Sequence, residues 1–402
     1  MAARVSSLKE FHGDSSALHI FSRLHSVSFV VLIVKIVIAP DSFKSSVSAS
    51  ECASALQEGL LSALPGAEVV AYPLADGGEG SLEVLVHHGF GRMTGEVRDA
   101  WGNASGAHWV RSGKVAVIES AQATQFRASA SAVDSLTASS HGVGMLIMQA
   151  LDAGVTEVSL MIGGTASTDG GIGMLQALGA HFSDHRGMEL GPGGGSLRDL
   201  VSCDLSGLDE RLKQVSWRLL SDVSNPLLGN AGAALMFAPQ KGADPRAVSI
   251  LEEGLERLAT VMGPEAAHKP GGGAGGGLGF AAMVALGVEP ESGARALVEL
   301  VGADGDLATA NLVITGEGSF DSQSVEGKLT GTIIERARHH GVPCIVVCGV
   351  NRWKEIGESE MLTSVRVLPL SDWEPDPVVS MVHARELLVQ VGAFIGRELA
   401  LD

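Results

Sequence analysis

The sequence predicts an α/β fold with mostly parallel sheets, and three observations predict it. Strand-like apolar runs alternate with helix-periodic stretches along most of the chain. Several of those runs end in polar loops rich in glycine or serine. The chain has 402 residues, beyond the ~250–300 at which single cores usually stop growing, so two domains are expected. Its 52 glycines have no triplet period and sit in short clusters, which reads as many tight loops rather than low complexity.

The first strand is Lys35–Ala39. "SASECASALQEGLLSAL" follows with Cys52, Ala55, Leu56, Leu60 and Leu64 at helical spacing, and Ser48 with Glu51 forms a capping box at its start. "EVVAYPL" reads as a strand, "ADGGEGS" as a loop, and Leu82–His88 as a short helix closed by Gly89. In the middle section "VAVIESA", "EVSLMI" and "WRLLSDV" read as strands, "GVGMLIMQALDAG" and "MLQALG" as helices, and "GGTASTDGGIG" as a loop. "SNPLLGNAG" leads into a helix ending in "FAPQKGA", and "HKPGGGAGGGLGF" reads as a functional loop ahead of the helical "AAMVALG". The last third returns to strand "NLVIT", loop "GEGSFDSQSVEGK", helix "GTIIERARHHG" and strand "VPCIVVCGV".

The net charge of −18 and the lack of any Lys/Arg cluster exclude a nucleic-acid binder. The apolar run "VSFVVLIVKIVIA" is too short to span a bilayer and Lys35 interrupts it. No small-residue cleavage site follows, and Glu10 and Asp14 count against a transit peptide, so residues 1–33 read as a dispensable extension. Cys52, Cys203, Cys344 and Cys348 fit no disulfide framework; reduced thiols imply a cytoplasmic address.

In open α/β sheets ligands bind beyond the carboxyl ends of strands. Five polar loops stand at such ends: Asp41-Ser42-Phe43-Lys44; Asp76-Gly77-Gly78-Glu79-Gly80; Gly163 to Gly171 with Asp169; Asp222 with Asn225; and Glu317 to Asp321. No Walker A, H-E-x-x-H or G-x-S-x-G pattern is present, and no Rossmann G-x-G-x-x-G opens a helix near the first strand. Glycines, carboxylates, hydroxyls and the lysines Lys44, Lys241 and Lys328, without a histidine or cysteine nucleophile, fit phosphoryl transfer: backbone N–H groups and cations for phosphate, carboxylates for Mg²⁺ and for the accepting hydroxyl. Each feature has a plainer alternative. Asp41 can cap a turn, Asp222 a helix, and Lys44 and Lys241 can be surface residues. Other classes also stay open: an α/β oxidoreductase, which lacks its fingerprint loop, or a ligand sensor, which need not keep so many acids.

The blocks "KIVIAPDSFKSSVSA", "PLADGGEGS", "GGTASTDGGIGMLQALGA", "SDVSNPLLG", "FAPQKGA", "GGAGGGLGF" and "DLATANLVITGEGSFDSQSVEGK" resemble, in order and spacing, the bacterial type I glycerate kinases. The resemblance runs from Val34 to the C-terminus. It implies two α/β domains, a discontinuous flavodoxin-like one (34–92 and 290–402) and a restriction-endonuclease-like insert (93–289). It also implies ATP- and Mg²⁺-dependent phosphorylation of D-glycerate, usually to 2-phosphoglycerate, by a monomer or homodimer. The 3-phosphoglycerate product is the alternative regiochemistry. Within that frame Asp169, Asp321 and Lys44 are the candidate catalytic residues, Asp169 being the candidate base. Asp76 and Asp222, at strand ends beside small residues, are the candidate metal ligands. Asp41, Ser42, Gly77, Gly78, Glu79, Thr165, Ser167, Asn225, Lys241, Glu317, Gln323 and Lys328 are expected to hold substrate or phosphate.

Deleting residues 1–33 is expected to leave folding and turnover intact. Strong loss of the circular-dichroism signal or of catalysed ADP release in the truncated protein would make the extension part of the domain.

Overall fold

The run read as the first strand becomes an interior strand of a five-stranded sheet. The computed structural model describes residues 34–401, apart from 44–45, 79, 128–129, 326 and 354–364. Lys44, Glu79 and the expected extension, residues 1–33, therefore lie outside the described residues. The strands are β1 (Lys35–Pro40), β2 (Glu68–Ala71), β3 (Gly91–Arg98), β4 (Ala104–Ser112), β5 (Val115–Glu119), β6 (Glu157–Met161) and β7 (His181–Ser183). They continue with β8 (Ser202–Asp204), β9 (Ser216–Leu220), β10 (Pro290–Glu291), β11 (Leu312–Phe320), β12 (Cys344–Asn351) and β13 (Val365–Pro369).

The first sheet has the order β13-β12-β11-β1-β2 with every neighbour parallel. Counted along the chain this is the 2-1-3-4-5 order of flavodoxin-like folds, whose switch point lies between β1 and β11. Both faces are covered, so the strands read as continuous apolar runs. On one face the helices Ala49–Ala63 and Ala384–Leu399 pack over Ile36, Ile38 and Ile314; on the other Leu82, Leu297 and Ile333 cover Val37, Val313 and Val346. Cys344 and Cys348 are buried beside Val346, on one face as their strand spacing requires.

The second sheet has the order β10-β9-β6-β5-β4-β3. β5, β6, β9 and β10 are parallel, whereas β3, β4 and β5 pair antiparallel. β7 and β8 form a separate ribbon. The β3–β4 hairpin has no counterpart in the sequence reading, because β3 keeps one buried residue, Val97, and so carries little apolar signal. β11 also runs on through Glu317 to Phe320, and Ser322–Val325 is helical, where a single loop was expected. Gly316 of this strand has no room for a side chain, because a Cβ there would collide with the Val347 carbonyl of β12.

The capping box forms as expected: Ser48 Oγ accepts from Glu51 N, and the Glu51 carboxylate accepts from Ser48 N at 2.9 Å. That helix meets Ala384–Leu399 through Gly59 and Gly392, where a Cβ would overlap the Val389 and Leu56 carbonyls. Overfilling such a contact costs about 1–3 kcal/mol or more. Gly59→Leu is expected to lower the melting temperature by several degrees. Gly66→Ala, which meets nothing within 4 Å, should leave it unchanged. Equal melting of the two variants would contradict the close helix packing.

Candidate active site

Parallel pairing at the switch point sets the first two acids side by side. Thr315 Oγ1 donates to Ala39 O at 2.8 Å and Asp41 N donates to Gly316 O at 2.8 Å, so Asp41 leaves β1 next to Glu317 of β11. Ser42 N donates to Asp41 Oδ1 at 2.6 Å. Asp76 follows β2, and its Oδ1 accepts from Gly78 N at 3.0 Å. Asp222 follows β9 of the other sheet, and its Oδ1 accepts from Gly293 N at 3.1 Å. Gly77, at φ +91°, brings the two sheets' loops together: a Cβ there would stand 2.9 Å from Gly293 Cα, and one on Gly293 would stand 2.6 Å from Asp76 O.

The acids feel one another. Burial pushes the Asp41 carboxyl up to about 6, and Asp76 and then Glu317 add to the shift. Asp222 is open on its solvent side, yet partial desolvation followed by Asp76 also moves it to about 6, against the pull of Gly293 N–H and Lys328. Burial raises Glu317, with Thr330, Ser324 and Lys328 opposing. Among the described residues its buried Oε1 and the buried Ser319 Oγ have no hydrogen-bond partner. Among the described residues no three of His, Cys, Asp and Glu converge to hold a metal ion by themselves. The set suits a hard cation that keeps waters and takes only one or two carboxylates.

Asp321 caps Ser322–Val325: its Oδ1 accepts from Gln323 N at 3.0 Å, and its own N–H donates to Ser324 Oγ at 3.0 Å. Lys328 Nζ lies 3.4 Å from Gln323 Oε1. These groups gather at the β11 end of the site.

A cavity of about 770 Å³ adjoins this cluster, lined on one side by Gly77 and Gly78 and on the other by Gly163, Gly164, Thr165 and Lys241. Its floor is two glycine-rich loops laid backbone to backbone. Gly170 N donates to Gly276 O at 3.0 Å, and Gly275 and Gly276 take φ of +61° and +67°. The 268–280 loop read as functional thus reaches the cavity through Ala274, Gly275 and Gly276. Lys241 is buried beneath them; its Nζ donates to Ser167 O at 2.6 Å and approaches Thr165 Oγ1 at 3.4 Å. Burial lowers its pKa to about 8, and Asp169 offsets part of that. Ser167 Oγ is buried without a hydrogen-bond partner among the described residues. Asn225 closes its own loop, Nδ2 donating to Ala231 O at 2.8 Å, and its carbonyl accepts from Gly273 N at 2.9 Å.

Asp169 does not reach the cavity in the way a base requires. The residue is 0% exposed, and its carboxylate accepts from Ser140 N at 2.7 Å, Ser140 Oγ at 2.9 Å, Gly171 N at 3.1 Å and Gly173 N at 3.3 Å. Burial raises its pKa while these donors lower it. Both of its oxygens are engaged within the protein, and Asp169 is not among the residues that line the cavity. It fixes the loop that carries Thr165 and Ser167.

Sequence reasoning passed over Glu119, Trp101, Phe126 and Arg127, all of which line the cavity. Glu119 ends β5, and its Oε1 accepts from Leu82 N at 3.2 Å, joining the second sheet to helix Ser81–His87. An acid at the carboxyl end of an apolar run was the available signal. The aromatic pair had only the scarcity of its type, 4% of the chain.

The profile of the Glycerate kinase family matches residues 36–400. The chain is 43% identical over 329 residues to a glycerate 2-kinase of Escherichia coli K12, covering 79% of this chain and 85% of that protein. It is 40% identical over 324 residues to a glycerate kinase of Bacillus subtilis 168, with 79% and 85% covered. A crystal structure from Salmonella typhimurium LT2, of a protein described as glycerate kinase 2, is similar with a TM-score of 0.80 at 35% identity, covering 92% of this chain and 99% of that one.

Asp41 yields a pH test. Its folded-state pKa, about 6, exceeds the ordinary 3.8, so its contribution to stability is complete below the unfolded value and is lost as pH rises through about 6. Asp41→Asn stays neutral and is expected to melt higher than wild type at pH 7.5 in EDTA, with the gap closing by pH 4. Added Mg²⁺ should narrow it at pH 7.5. A pH-independent gap in calorimetric melting would contradict the mutual repulsion of these acids.

Proposed function

The chain belongs to the glycerate kinase family, and from that premise we propose that it transfers the γ-phosphoryl group of ATP to D-glycerate, giving 2-phosphoglycerate. The observation that carries the reading is the meeting of Asp41, Asp76, Asp222 and Glu317, acids from both sheets, beside a glycine-floored cavity. Phosphoryl transfer needs positioned charge more than a covalent partner, and this arrangement supplies both signs.

Asp76 and Asp222 would hold Mg²⁺, which when bound neutralises charge on the phosphate oxygens. Their fit rests on the repulsion that Asp76 exerts on both Asp41 and Asp222, which a divalent cation relieves. Thr165, Lys241 and the N–H groups of the glycine loops line the anionic side; Lys328 serves from the β11 end, and Lys44 and Ser42 follow β1. Asp41, ionised in most molecules at neutral pH, accepts the proton of the attacking hydroxyl. The new O–P bond forms as the bond from the γ-phosphorus to the β,γ-bridging oxygen breaks, and ADP leaves. Asp169 acts as a positioning residue. Glu317, Gln323 and Asp321 orient the acceptor.

The same reading takes residues 34–92 with 290–402 as the flavodoxin-like domain and 93–289 as the insert. The two sheets support it, with β10 carrying the insert's sheet as far as Glu291. A cytoplasmic address fits free cysteines, and among the described residues no helix is long and apolar enough to cross a membrane.

Coupled ADP release with D-glycerate, ATP and Mg²⁺, with phosphorus NMR of the product, tests the function. A phosphate at C3, or ATP turnover that ignores glycerate, would overturn it. Asp76→Asn is expected to lose ~10²-fold in kcat/KM and to recover part of it at high Mg²⁺. Asp169→Asn should lose activity and thermal stability together, with no recovery. Rescue of Asp169→Asn by Mg²⁺ would make it a metal ligand instead of a positioning residue.

A further inference from the structure

One wall of the cavity remains without a task. Trp101, Phe126 and Arg127 line it, in a chain that is only 4% aromatic. Asp99 fixes two of them. Its Oδ1 accepts from Trp101 N at 2.9 Å, and its Oδ2 accepts from Arg127 Nη2 at 3.2 Å. Trp101 Nε1 donates to Asp134 O at 3.3 Å, which sets the plane of the indole. The Arg127 guanidinium then stands over that ring, Cζ 4.1 Å from its centroid. Phe126 is 38% exposed, so an aromatic side chain is left uncovered at the cavity wall.

Glycerate has no use for such a wall. Each of its three carbons bears oxygen, so it has no apolar face to bury, and the acids and glycine loops described above answer its polar groups. A flat heteroaromatic ring is the part of the two substrates that gains from it. We propose that Trp101, Arg127 and Phe126 form the nucleobase platform, taking the purine ring of the nucleoside triphosphate by stacking while its phosphates lie toward Gly77, Gly78 and Lys241. The proposal rests on the ATP reading above. Base–aromatic stacking of this kind is worth ~1–3 kcal/mol per base, that is, about 5- to 150-fold in affinity.

The test is calorimetric titration of the full chain with MgADP and, separately, with inorganic tripolyphosphate, which has no base. Phe126→Ala and Trp101→Leu are expected to weaken MgADP binding about tenfold or more and to leave tripolyphosphate binding unchanged. Trp101→Phe, which keeps a ring, should recover most of the loss. Equal weakening of both ligands, or unchanged MgADP affinity in Phe126→Ala and Trp101→Leu, would overturn the platform. So would a KM for glycerate that rises in Arg127→Met while the KM for ATP stays constant, since the wall would then hold the substrate carboxylate. Absence of MgADP binding by the wild type would overturn the ATP reading together with the platform, whereas normal wild-type binding with unaffected variants overturns the platform alone.

Discussion

Repulsion between carboxylates that the backbone will not let separate is the constraint on which the site depends. Asp41 is tied to the end of β1, where its N–H donates across to β11. Asp76 and Asp222 come from different sheets, yet Gly77 and Gly293 approach so closely that the loops carrying those acids cannot be moved apart without breaking the contact. Burial first, and then this enforced proximity, makes Asp41 and Asp222 hold protons more tightly than free carboxylates do. The protein thus spends stability at neutral pH on an arrangement that only a cation or a phosphorylated ligand's counter-ion can relax. Binding and folding draw on the same charges.

The glycines serve that arrangement by removing side chains, not by adding flexibility. Gly170 and Gly276 let two loops exchange a backbone hydrogen bond, and a Cβ at Gly276 would collide with the Ser167 carbonyl. The result is a floor of peptide groups over a buried lysine. Asp169, enclosed by four donors, holds one of the two loops in shape.

Much of this is legible in the order of the residues alone. The apolar run at Lys35–Ala39, the Ser48–Glu51 box and the acids at strand ends each follow from local rules, and local rules are what a sequence displays most openly. What escapes such a reading depends on contacts across the chain. Asp169 reads as a free acid in "STDGG", and only the approach of Ser140 from another helix encloses it. The β3–β4 hairpin is stabilised by pairing rather than by an apolar pattern, since most of β3 faces solvent. Trp101 and Arg127 are 26 positions apart, and only the shared Asp99 brings them together.

The pairing of β1 with β11 joins residues far apart in time as well as in sequence. Lys35 N reaches Asn311 across a separation of 276 positions. At the ~5–20 residues per second of synthesis, β1 waits on the order of 10–60 s for β11. The strands β3, β4, β5, β6 and β9 are all made before β11 appears. The middle of the chain is thus free to fold on the ribosome while β1, one of the most apolar strands, still has an open edge. An exposed edge of that kind is where chains pair with the wrong neighbour. High contact order here makes the nascent protein, more than the finished one, the form that needs a chaperone.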